Sequence, residues 1–217
     1  MVVQIAQEDT GPCLEILSFL QNFLSDPSIL KAGVGIDQDM VELIRWPEDG
    51  SVVWKDVVGR LDIGGIGGRP GATQSLKTLA STICGVNLVK DKKLSRSNWA
   101  RLPGISTRQI AYAARDAWVA AAVVNELARR DPRQFSTSAL WNRILEHELP
   151  IQMLEEKAAA RKAAKLQLQS VLGNGKDRIE RKDLSQDQLS VVQELDERIK
   201  ELAPPQPIHF DVGALGL

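Results

Sequence analysis

The sequence predicts an α/β domain followed by an α-helical extension, and three observations carry that reading. Short apolar segments with strand character alternate with segments of helical spacing up to about residue 130. Beyond Asp131-Pro132 the chain becomes rich in Ala, Leu, Lys, Glu and Gln and reads as helix almost throughout. Two capping-box signatures, Ser106-Thr-Arg-Gln109 and Ser185-Gln-Asp-Gln188, mark one helix start in each part. The expected organisation is an α/β domain over residues 1–132 and a helical extension with a loose, proline-rich tail over residues 133–217.

Taken in order, residues 2–6 read as a strand, and residues 13–17 alternate as a second short strand after the turn-like residues 8–12. Phe19, Leu20, Phe23 and Leu24 recur at helical spacing and stop at Asp26-Pro27. Residues 32–36 form a short buried strand. Asp37-Gln-Asp39 then opens a helix carrying Met40, Val41, Leu43 and Ile44, which Pro47 ends. Residues 54–61 give a further apolar stretch. The glycine-rich residues 64–71 predict a flexible loop, and without a Lys-Ser/Thr ending they do not make a phosphate-cradling P-loop. Leu76, Leu79, Ala80 and Ile83 predict a helix ending near Gly85.

After Ser106, an alanine-rich apolar run extends to Leu127 and predicts a long helix with most of its surface buried. Residues 139–170 are helical with a break at Pro150, and Gly173-Asn-Gly175 interrupts them. The last helix carries Leu189, Val192, Leu195, Ile199 and Leu202 and stops at Pro204, Pro205 and Pro207.

Composition narrows the function classes. The 217 residues are 43% hydrophobic and 25% charged, as in globular domains, and the net charge is -1. Contact with nucleic acid therefore has to come from a local patch or from metal ions. Cys13 and Cys84 sit in apolar runs far apart and read as buried, reduced thiols, compatible with a reducing compartment. His147 and His209 are too few for a histidine-rich zinc site and poorly support a His triad. No apolar run approaches the roughly 20 residues of a membrane-spanning helix.

Two acidic positions stand out. On the helix after Ser106, Tyr112 and Asp116 lie four residues apart, so phenol and carboxylate project from one face. An aspartate facing inward on such a helix is costly unless a cation or donor meets it. An ordinary tertiary hydrogen bond, or exposure of Asp116 beside Arg115, accounts for the pair equally simply. Asp39 falls just beyond a strand, in the first turn of a helix, where α/β sheets collect ligands. Capping by Asp37, with Asp39 stabilised by the first-turn amides, is the competing explanation. Lys90, Lys92, Lys93 and Arg96 form a basic cluster that fits either phosphate contact or a solvated loop.

Several segments together resemble a family. Lys31-Ala-Gly-Val-Gly-Ile-Asp-Gln-Asp39-Met, Leu76-Lys-Thr-Leu-Ala80, Ser97-Asn98-Trp99 and Gln109-x-x-Tyr112-Ala-Ala-x-Asp116-Ala occur in this order. They are similar to the 3′–5′ exonuclease domain of the Werner-helicase type. More broadly they resemble the ribonuclease D and proofreading-exonuclease superfamily with its ribonuclease H-like fold and mixed sheet. The resemblance covers about residues 2–130 and nothing beyond. It implies two divalent cations, Mg²⁺ or Mn²⁺, held by four acids around the scissile phosphate at the 3′ end of DNA or RNA. On matching positions it makes Asp39 and Asp116 metal ligands and gives Tyr112 the attacking water to orient.

The resembled family also carries an Asp-x-Glu pair on a strand that would lie before residue 2. Its absence gives the expectation of an N-terminally shortened domain that binds metal weakly and cleaves poorly. The alternative expectation is a catalytically silent protein that binds nucleic acid or a partner on the same fold. A protein partner for the helical extension is a third expectation, and no membrane contact is expected.

Overall fold

The computed structural model describes residues 14–46, 54, 56–67, 72–89, 91–100, 104–173, 179–210 and 212. The strand expected at residues 2–6 lies outside them.

The first described element is a helix, α1 (Leu14–Ser25), where the sequence suggested a strand at residues 13–17. The brief alternation loses to a longer helical period: Leu17, Leu20 and Leu24 share one side, with Leu17 and Leu24 buried beside Trp54 and Val57. Strand β1 (Lys31–Gly33) follows, shorter than expected, because Gly35 takes φ 74 and ψ 25 as N-cap of helix α2 (Ile36–Ile44). That left-handed turn suits glycine and moves Ile36 from strand into helix. Strand β2 (Arg60–Asp62) pairs parallel with β1, Lys31 opposite Arg60 and Gly33 opposite Asp62. Among the described residues this is the whole sheet, a β-α-β unit of two strands.

The glycine-rich segment is not simply a flexible loop. Ile63–Gly65 is a 3-10 turn whose residues are all buried. A methyl group added at Gly65 would lie 2.3 Å from the Ile208 carbonyl oxygen, so the returning chain requires glycine there. Residues 68–71 lie outside the described part. Helix α3 (Leu76–Cys84) has Ser75 as N-cap and left-handed Gly85 as C-cap, as its sequence predicts. The short α4 (Lys92–Ser95) leads to α5 (Thr107–Arg130), and both α3 and α4 pack on α5.

Only one side of α5 enters the core: Val119, Ala120, Val123 and Leu127 are buried with Leu79, Ala80, Ile83 and Leu61. Each large side chain there contributes roughly 1.5–3 kcal/mol by leaving water. Ile110, Ala114, Ala117, Trp118 and Ala121 are exposed, Trp118 by 61%, so the expectation of a mostly buried helix fails in its first half.

Helices α6 (Pro132–Phe135) and α7 (Thr137–His147) belong to the same compact unit, which spans Met1–Glu148 and Gln206–Leu217. The sequence placed residues 133–148 in the extension, whereas Phe135, Leu140 and Ile144 lie in the core shared with α5. The tail is not loose at Phe210 and Val212, which are buried in the core. Phe210 is fully buried, stacks on Phe135 at 5.0 Å, lies under Arg143 and bridges to Ile66. Its buried ring outweighs the proline-rich composition that suggested mobility.

A second unit, Leu149–Pro205, contains α8 (Ile151–Leu172) and α9 (Gln186–Glu201), packed around Leu172, Leu184 and Val192. The break at Pro150 and the Ser185 capping box fall where expected. Among the described residues no helix is long and apolar enough to cross a membrane.

Candidate active site

Because β1 and β2 run parallel, the turn after each opens at the same, carboxyl end of the pair. Asp62 closes that end. Its Oδ2 accepts from the Gly35 amide at 3.1 Å and its Oδ1 from the Gly64 amide at 2.8 Å. One carboxylate thus fixes both the turn into α2 and the 3-10 turn after β2. Burial raises the Asp62 pKa and Asp37 adds to the rise, while the two amide donors oppose it.

Asp39 lies in the first turn of α2. It keeps much of its surface in solvent, yet partial burial of its carboxylate raises its pKa, and the neighbouring charge of Asp62 raises it further. Asp37 is not the cap expected of it: α2 has no side-chain cap, and Asp37 accepts from Arg60 Nε at 2.7 Å. Arg60 is buried and also reaches Glu148 at 3.3 Å. Glu148 in turn accepts from the Gly59 and Arg60 amides, tying the end of α7 to β2.

The second half of the site stands on α5. The capping box forms as read: the Gln109 amide donates to Ser106 Oγ, and the Ser106 amide to Gln109 Oε1 at 2.8 Å. Gln109 is buried, and its Nε2 donates to Ser97 Oγ and to the Asn98 carbonyl, each at 3.1 Å. The Ser97-Asn98-Trp99 turn is thereby held against the start of α5. One helical turn later, Tyr112 lies 6.1 Å from the Trp99 ring, with the Arg115 guanidinium 5.7 Å from its own ring. The Asp116 carboxylate lies near enough to the Tyr112 hydroxyl to act on it electrostatically.

The structure thus brings Tyr112 and Asp116 together and places Asp39 beside Asp62. The acid whose charge reaches Asp39 is Asp62 rather than Asp116. Among the described residues no group of three or more His, Cys, Asp or Glu is arranged to hold a metal ion. Asp62, Arg60 and the bracing role of Gln109 were missed from the sequence. An Asp followed by Ile-Gly-Gly at a strand end was the available signal for the first. A lone arginine among apolar residues signals nothing until its acids are known. Cys84 is a half-buried free thiol whose pKa burial raises.

Burial first, then the Asp116 charge and hydrogen bond, hold the Tyr112 pKa above its ordinary value near 10. A raised folded pKa contributes stability that is complete below the unfolded value and lost as pH rises through the folded one. Tyr112 is the chain's only tyrosine, so tyrosinate absorbance reports it alone. In EDTA the midpoint is expected above 10, falling toward 10 in Asp116→Asn. A wild-type midpoint at or below 10 would contradict the pairing.

The parallel strand pair thus carries acids at its carboxyl end, with the Tyr112–Asp116 pair on α5. A family model described as 3′–5′ exonuclease matches residues 1–130, and the chain belongs to that family. Over 108 residues it is 34% identical to the bifunctional 3′–5′ exonuclease/ATP-dependent helicase WRN of Mus musculus, covering 50% of this chain and 7% of that protein. Over 101 residues it is 35% identical to a 3′–5′ exonuclease of Arabidopsis thaliana, covering 46% of this chain and 33% of the relative. The chain therefore spans a third or less of the curated relatives it matches. No solved structure matches it significantly.

Proposed function

We propose that this chain acts on nucleic-acid 3′ ends as a metal-dependent exonuclease on a ribonuclease H-like fold, with Asp39 and Asp116 as metal ligands and Tyr112 positioning the attacking water. The observation that carries this reading is the Tyr112–Asp116 pair, set in place by the buried Gln109 brace in a chain of the 3′–5′ exonuclease family.

The donor chemistry fits Mg²⁺ or Mn²⁺. Carboxylate oxygens suit hard dications, and Mg²⁺ commonly takes one or two carboxylates and fills its other positions with water and substrate phosphate. Asp39, whose carboxylate is disfavoured first by burial and then by the Asp62 charge, gains from a nearby cation. When bound, the ions supply positive charge at the attacking and leaving oxygens of an in-line displacement. Asp62 keeps Asp39 in place by locking the β1–α2 turn. Tyr112 stays a neutral donor across the physiological range and directs the incoming water.

A second reading is a catalytically silent nucleic-acid-binding scaffold on the same fold. We also propose the second unit, α8 and α9, as the part available to a protein partner. Shortening of a 5′-labelled oligonucleotide, stepwise from its 3′ end and abolished by EDTA, is the expected result. Metal-independent or internal cleavage would overturn the exonuclease reading, and binding without cleavage would establish the scaffold.

A further inference from the structure

A buried cation stands beside the proposed site and takes no part in the proposed chemistry. The Arg60 side chain is 2% exposed, and three segments of chain meet at its guanidinium. Its Nε donates to Asp37 Oδ1 at 2.7 Å, while an outer nitrogen donates to the Val57 carbonyl and lies 3.3 Å from Glu148 Oε1. Glu148 also accepts the Arg60 amide at 2.8 Å, so one acid holds both the side chain and the backbone of this residue. Removing an arginine and two acids from water costs about as much as their attraction gains, so stability alone does not account for the triad.

What Arg60 grips is the start of α2. That helix has no side-chain cap, and its Gln38 and Asp39 amides both donate to the Gly35 carbonyl, at 3.0 and 3.3 Å. Two residues of β2 secure this turn. Arg60 and Asp62 are two apart on the strand and project from the same face. Asp62 takes the Gly35 amide, and Arg60 takes Asp37. Asp39 is two positions beyond Asp37, so the two carboxylates leave the helix on different sides. The arginine therefore holds the turn through Asp37 without engaging the Asp39 carboxylate.

We infer that Arg60 is a positioning residue for Asp39, gripping the first turn of α2 through Asp37 while Glu148 holds the guanidinium in place. This rests on the reading of Asp39 as a metal ligand. It also carries the site beyond the family match at residues 1–130, because Glu148 caps the end of α7. A segment outside the matched domain thus helps to shape the proposed metal site.

Mn²⁺ binding and backbone amide exchange, both on the full chain, test this without any cleavage. By charge alone, removing a buried cation near a dication site should tighten Mn²⁺ binding. Positioning predicts the opposite sign. Arg60→Gln is expected to weaken Mn²⁺ binding about 3- to 10-fold, toward the low end for residues that orient metal ligands. In an Asp39→Asn background the same change should have no further effect, as for a residue acting through Asp39. Without metal, Arg60→Gln and Glu148→Gln are each expected to speed exchange of the Gln38 and Asp39 amides about 10-fold relative to the Val123 amide of α5. A purely structural ion pair would speed all three amides together and leave the affinity of the folded protein unchanged. Where Asp39→Asn weakens Mn²⁺ binding, unchanged or tighter binding in Arg60→Gln would overturn the proposal, and so would equal acceleration at Val123. If Arg60→Gln does not fold, Asp37→Ala, at a side chain 30% exposed, replaces it: the same exchange ratio supports the proposal, and an unchanged ratio overturns it. Mn²⁺ binding indifferent to Asp39→Asn would fail the metal reading alone, and the exchange ratio would still decide the brace.

Discussion

Asp116→Asn is expected to slow divalent-dependent shortening of an oligonucleotide at least about 100-fold, because the proposed metal ligand loses its charge while the shape is kept. The amide oxygen of asparagine can still accept the Tyr112 hydroxyl, so the helix and the tyrosine stay in place. Asp116 lies on a partly exposed stretch of α5, away from the core residues Val119, Val123 and Leu127. Thermal stability should therefore change little, separating chemistry from folding. Tyr112→Phe removes only the hydroxyl and is expected to slow the reaction less, by roughly 10- to 100-fold. Gel resolution of single-nucleotide steps measures both. Equal rates for wild type and Asp116→Asn would remove the assignment.

Phe210→Ala is expected to cost about 3–5 kcal/mol of stability, the usual range for deleting a buried aromatic ring. Phe210 is fully buried, 5.0 Å from the Phe135 ring, with the Arg143 guanidinium 4.7 Å from its centre. The backbone participates as well: the Gly67 amide donates to the Phe210 carbonyl at 3.1 Å. Small domains are stable by about 5–15 kcal/mol, so this one change removes a large part of the margin. Urea unfolding followed by tryptophan fluorescence would show it. A loss below about 1 kcal/mol would mean that the tail does not close the core.

The regular helices were legible because their signals are local. The Ser106 and Ser185 capping boxes, the Gly85 cap and the break at Pro150 each specify a boundary within a few residues. What failed depended on distant partners. Residues 13–17 alternate over too short a span to resist the helical period that continues through Leu24. The tail looked loose because proline content is local, whereas the burial of Phe210 depends on Gly65, Phe135 and Arg143 far away in sequence. Asp37 looked like a cap because its buried counter-ion, Arg60, lies 23 residues on. For the site, the Tyr112–Asp116 pairing could be read from a four-residue spacing. The clamp by Asp62 on the Asp39 turn could not, since it needs the parallel register of β1 and β2.

The proposed sharing of one cation by Asp39 and Asp116 is tested most directly by Mn²⁺ binding, followed by the electron paramagnetic resonance of the free ion, in wild type, Asp39→Asn, Asp116→Asn and the double variant. Each single change is expected to weaken binding about 10-fold or more. The double variant should lose less than the product of the two, as for groups acting on one ion. Binding unchanged by either substitution, or losses that simply multiply, would show that Asp39 and Asp116 do not meet at a common metal.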